Sequence, residues 1–257
     1  KNLDKFNDAK QVSNYFSGIL LLNDNHYNES YKYLRKLDGL ESSHNNFSIK
    51  YLHSLINSRN YNEAFNYSKK LEKQKLDSFE SNLIMGIFYL KNSNLDLAKK
   101  YFLNAKNKDS RFILNNYVSH SLFNWSNLEN LNLESATVET NKLDKRFENL
   151  KKIQNVFLNC FFNDQNTKNL FNQLISSKKT DFSRYNYFYA SYIASLGEIN
   201  EAKNIIQSAL KLYPRNLLLN KYKIDLNKKE NITEFNCNKE EHVIAEILYI
   251  TANALSS

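Results

Sequence analysis

"NDNHYNESYKYLRKL", Asn23 to Leu37, and "NSRNYNEAFNYSKKL", Asn57 to Leu71, align column by column when Tyr27 is set on Tyr61, a step of 34 residues. The same step leads to "NSNLDLAKKYFLNA", Asn92 to Ala105. The register holds beyond these stretches. A tight position reads Gly18, Leu52 and Gly86, and an apolar position three residues later reads Leu21, Leu55 and Tyr89. After the turn come Tyr27, Tyr61 and Leu95, then the small residues Ser30, Ala64 and Ala98, then Leu37, Leu71 and Ala105. Small residues recur where two helices cross closely, and large apolar residues fill the gaps beside them. Each unit therefore reads as an antiparallel helix pair joined by a short polar turn such as Asn23-Asp24-Asn25. One pair cannot bury its apolar face alone, so it stacks on the next.

The best-kept copy lies further on. "LGEINEAKNIIQSALKLYP" runs from Leu196 to Pro214, preceded by Ala190 and Ile193. It places Gly197 at the turn, Ala202, Ile206 and Ala209 along the second helix, and the chain's single proline, Pro214, after it. This copy, with three others in strict register, resembles the tetratricopeptide repeat (TPR) family, whose period is 34 residues. The resemblance implies an all-α fold: a right-handed α-solenoid of about six to seven antiparallel helix pairs, with no β-sheet.

The repeats are expected at about 11–44, 45–78, 79–112, 113–150, 151–182 and 183–216, within a single solenoid over 1–257. The fourth opens with the clear helix "ILNNYVSHSLFNW", but His120 replaces the tight glycine and the second helix, around Leu128 to Thr137, is degenerate. Part of Ser135 to Lys145 reads as an enlarged loop, after which the register slips by about four residues. In the fifth copy Leu158, Phe161, Leu170, Leu174 and Ser177 take the key columns. Past Asn216, "LLLNKYKIDL" reads as a first helix without a partner. The final helix, from about Glu240 to Ser257, carries the apolar residues Val243, Ile244, Ile247, Leu248 and Ile250. Such a stripe needs cover, so the chain reads as a fragment of a longer array, of the loosely kept kind seen in bacteria.

Composition agrees with helices. With 4 glycines and 1 proline in 257 residues, the chain lacks the turn residues a compact β domain needs. The net charge of +8 comes mostly from scattered lysines interleaved with acids, with no Lys/Arg run longer than two. That pattern argues against a nucleic-acid partner, which prefers a basic stripe. The longest apolar stretches, such as Gly18 to Leu22, are far too short to span a membrane. The chain opens on Lys1 with no methionine, which leaves room for a removed leader. The compartments expected are the bacterial cytoplasm or, with such a leader, the periplasm.

No catalytic pattern is present, and no cofactor or metal is expected. His26, His44, His53, His120 and His242 are spread over different repeats with no ligand spacing. Four isolated glycines exclude phosphate-cradling motifs. Cys160 and Cys237 form no C-x-x-C, and they read as a small buried apolar residue and a loop thiol rather than a disulfide. Trp125 reads as core. Asn-x-Ser/Thr sequons at Asn28, Asn46, Asn124 and Asn231 are expected by chance in so Asn-rich a chain.

The function expected is non-catalytic: a scaffold that binds a peptide or partner protein on the concave face. The resemblance places the inward positions on the first helix of each pair. They give the candidate surface Tyr15, Ile19, Leu22, Ile49, His53, Ile56, Leu83, Ile87, Leu90, Tyr117 and Asn124. Further inward positions, among them Asn155, Asn159 and Arg184, are more polar and only thinly echo a carboxylate clamp. The alternatives are a Lys-driven array binding RNA or an acidic membrane surface, and a support segment of an enzyme. Partner identity and oligomeric state are not readable.

Overall fold

The computed structural model describes residues 2–37, 39–44, 46–108, 112–177, 179–228 and 235–256, with side chains between residues 8 and 253. Among the described residues every regular element is helical. The chain divides into two compact units, residues 1–115 and 116–257.

The first unit holds α1 (Asn2–Asn23), α2 (Tyr27–Leu34), α3 (Phe47–Asn57), α4 (Tyr61–Lys73), α5 (Phe79–Lys91) and α6 (Leu95–Lys106). Each packs on its neighbour in chain order, as stacked helix pairs do. The pairing is antiparallel: a Cβ on Gly86 would fall against Phe102, and further along α5 the ring of Tyr89 stacks on Tyr101. The tight columns have a direct cause. A Cβ on Gly18 would lie 2.5 Å from Leu34 Cδ2, and one on Gly86 2.5 Å from Phe102 Cδ1. Both partners lie sixteen residues on, and in the second repeat the sizes are exchanged, Leu52 with Ser68. Ser30, Ala64 and Ala98 are all fully buried, and the Ser30 hydroxyl donates to Gly18 O at 2.8 Å.

The turns repeat as faithfully as the columns. Asn25, Arg59 and Ser93 have φ of 62°, 61° and 55°, and Asn163 and Gly197 have 53° and 84°. This left-handed conformation ends the first helix and reverses the chain. Of these five turns glycine takes one, at Gly197; asparagine, at Asn25 and Asn163, tolerates the conformation, and Arg59 and Ser93 are strained in it. Start signals are local: Ser78 and Ser81 exchange side-chain and backbone hydrogen bonds at the head of α5.

The second unit continues with α7 (Ile113–Ser126), which begins just before it, then α8 (Leu133–Asn141), α9 (Glu148–Phe161), α10 (Thr167–Ile175), α11 (Tyr185–Ser195), α12 (Ile199–Leu212), α13 (Leu217–Lys228) and α14 (Glu240–Ser256). From α8 to α13 each helix again packs on the next. The fold is thus an α-solenoid, a TPR-like helical repeat.

Three expectations are corrected. Ser135 to Asn141 is helical rather than part of an enlarged loop, because a 3-10 turn over Leu128–Asn130 is inserted before α8. Asn127 there has φ of −116°, so this turn abandons the left-handed conformation, and the small buried column reappears four residues late at Ala136. Cys160 and Cys237 are joined by a disulfide. The apolar stripe of the last helix is covered from inside the chain: Val243, Ile244 and Ile247 are fully buried. Trp125 is core, fully buried, its indole Nε1–H donating to Gln154 Oε1 at 3.1 Å. The sequon at Asn231 lies outside the described residues.

Candidate partner-binding surface

Ile84, Ile87, Phe88 and Lys91 follow the i, i+3, i+4, i+7 pattern and so line one face of α5. The end of α3 brings Ile56 beside them, and the left-handed turn at Arg59 carries the chain into Asn60, Tyr61 and Asn62. Together these residues bound an open groove of about 870 Å³. Ile87 is 36% exposed and Tyr61 52%. The Phe88 ring is fixed by stacking on Phe65, centroids 3.7 Å apart. Arg59 and Lys91 are exposed and put two cations on the rim. Glu63, the one acid in the lining, is already engaged. Its carboxylate accepts from Tyr31 at 2.7 Å and from Tyr51 at 3.2 Å. Burial and this carboxylate together push both phenols above their usual range.

A second hollow of about 320 Å³ lies over Leu34, Phe47, Tyr51 and Tyr67. Its charges are satisfied within the chain: Lys70 pairs with buried Glu41 at 2.5 Å, and Arg35 lies over the Tyr31 ring. It offers a ligand less unpaired polarity than the first groove.

The expected surface residues separate by location. Ile56 and Ile87 line the groove. Tyr15, Ile19, Ile49, Leu83 and Leu90 are half-buried, and His53 is exposed. Ile19 packs against the core, and the Tyr15 ring lies 5.0 Å from that of His44. Leu22, Tyr117 and Asn124 are 3%, 1% and 3% exposed, so a partner on the surface does not reach them. Leu22 is core. Asn124 donates to Ala136 O and Thr140 Oγ1, pinning α7 to α8. Buried Gln154 donates toward the Tyr117 hydroxyl at 3.3 Å, and burial pushes that phenol up to about 12. Arg59, Ile84, Phe88 and Lys91 escaped the sequence reading because they lie outside the inward columns; the apolar spacing around Ile87 was the available signal.

The polar inward positions of the second unit form no clamp. Asn155 donates to Asn141 at 3.4 Å, Asn159 donates to its own helix, and Arg184 is paired with Glu246. Among the described residues no group of three His, Cys, Asp or Glu side chains is placed to hold a metal ion, and no helix is long and apolar enough to cross a membrane.

No protein-family model matches the chain, and no curated protein matches it. Seven solved chains do match. One belongs to a structure of Naa15/Naa10 bound to HypK-THB, with 16% identity over 85% of this chain and a TM-score of 0.30. The chain spans 39% of the length of that protein. The fold assignment rests on the helix pairs themselves.

Proposed function

We propose that the protein is a non-catalytic scaffold whose first unit holds a partner segment in the groove over α5. The observation that carries this reading is the open apolar floor of Ile56, Ile84, Ile87 and Phe88 beneath two cations, Arg59 and Lys91. A contiguous exposed apolar patch rimmed by polar groups marks an interaction site. The floor suits apolar side chains spaced along an extended or helical segment, and the rim favours acidic residues beside them. The helices that form the groove are preformed, so little is lost on the protein's side when it is filled.

The test is a peptide display selection on the full chain, followed by titration of the recovered peptides. Peptides joining apolar anchors to Asp or Glu are expected, and Ile87→Asp with Ile84→Asp abolishes their binding while far-UV circular dichroism stays unchanged. Recovered peptides that bind this variant as well as the parent would refute the groove. Salt-sensitive binding of RNA or acidic vesicles, unaffected by the variant, would support a Lys-driven surface in its place.

A further inference from the structure

In the second unit α14 does not extend the stack. It folds back onto first helices far upstream in sequence. Arg184, at the head of α11, donates from Nε and Nη2 to the two Glu246 oxygens at 2.9 and 2.8 Å, a two-pronged pair. The same guanidinium sits 4.1 Å over the Tyr249 ring. Glu246 is 4% exposed, between fully buried Ile244 and Ile247. Just before α14, Phe235 wedges between Phe157 and Phe188, at 5.0 and 4.6 Å, and Cys237 is bonded to Cys160 of α9.

We propose that α14 is a releasable occupant of a second interaction surface, clasped by the Cys160–Cys237 disulfide, and that the face beneath it accepts an amphipathic helix bearing a glutamate between apolar residues. This reading is independent of the groove in the first unit. The face is defined by its present occupant: an apolar floor, with Arg184 as the anchor for one carboxylate. The disulfide acts by shortening the tether. With it, α14 starts three residues after a fixed point, Cys237; without it, the nearest fixed point is the packed Phe235 ring, five residues before Glu240. Closure probability falls as the three-halves power of tether length, so opening the bond weakens seating by about twofold. A dithiol is the reductant class required. It gives up two electrons and two protons, the Sγ–Sγ bond breaks, Cys160 and Cys237 become thiols, and the dithiol closes to its own disulfide.

The test uses the full chain, oxidised and in dithiothreitol, with amide hydrogen exchange read over residues 240–253. The second readout is uptake of a fluorescent peptide carrying the sequence of residues 239–253. Reduction is expected to raise exchange in α14 and uptake of the peptide each about twofold, and Cys160→Ser/Cys237→Ser should do so without reductant. The peptide with Glu246→Arg should bind only when the protein carries Arg184→Glu. If the serine variant does not fold, the dithiothreitol arm decides alone. Unchanged exchange in α14 with no added peptide uptake on reduction overturns the proposal, as does equal binding of the charge-reversed peptide to the parent.

Discussion

Replacing Gly86 with alanine adds one carbon at the tightest helix crossing of the first unit. Its Cβ would stand 2.5 Å from Phe102 Cδ1, where ordinary contact begins near 3.4 Å, so α5 or the ring must give by about 0.9 Å. Phe102 is fully buried, and its ring has little room to move. Overpacking of this kind costs about 1–3 kcal/mol. Against it stands the helix propensity gained when a mid-helix glycine becomes alanine, about 1 kcal/mol. The net expectation is a loss of up to about 2 kcal/mol, read as a lower midpoint in urea unfolding followed by far-UV circular dichroism. A compensating change follows from the repeat itself. The second copy places Leu52 and Ser68 in these two columns, so Gly86→Leu with Phe102→Ser should recover most of what Gly86→Leu alone loses. A Gly86→Ala protein as stable as the parent or more so, together with a double variant no better than the single, would refute the packing argument.

Other consequences are equally direct. Ser93→Gly and Arg59→Gly relieve left-handed strain and should each raise stability by up to about 1 kcal/mol after glycine's extra chain entropy, whereas Gly197→Ala should lower it by about 1 kcal/mol, in the same unfolding assay. Gln154→Ala orphans the Trp125 indole N–H and removes the donor arm that reaches Ser121 and Tyr117, and should cost about 3 kcal/mol, with a shifted tryptophan emission as the local readout. Burial alone would raise the Asp77 carboxyl, but hydrogen bonds from Lys108 and Asn82 hold it below its usual range. Its stabilising contribution is therefore present above its unfolded pKa of about 4 and lost as pH falls through the lower folded value, so Asp77→Asn should flatten the acid limb of the stability profile.

The helix pairs were legible because the crossing columns repeat in both size and spacing: Gly18 with Leu34 and Gly86 with Phe102 describe the same contact twice. The left-handed turns at Asn25, Arg59 and Ser93 share the 34-residue step as well, although the residue types of Arg59 and Ser93 do not announce the conformation as Gly197 does. The fourth repeat misled the reading because a 3-10 turn at Leu128–Asn130 shifts α8 without an obvious sequence break. The disulfide joins residues 77 apart with no motif, so local pattern gave no sign of it. The same holds for α14. Its apolar stripe showed that it needed cover, but the partner, Arg184, lies 62 residues upstream and is found only in the folded chain. Of the candidate surface, Ile56 and Ile87 line the groove; Leu22, Tyr117 and Asn124 sit in the same columns but are buried, because column position alone does not say which neighbour covers a side chain.

The central claim is that the first unit holds a partner segment over α5. It is tested most directly by amide hydrogen exchange on the full chain with and without a selected peptide. Protection gained around residues 56–63 and 84–92, and lost with Ile87→Asp, is the predicted result. A peptide that binds with no added protection there, and with protection appearing elsewhere, would contradict it.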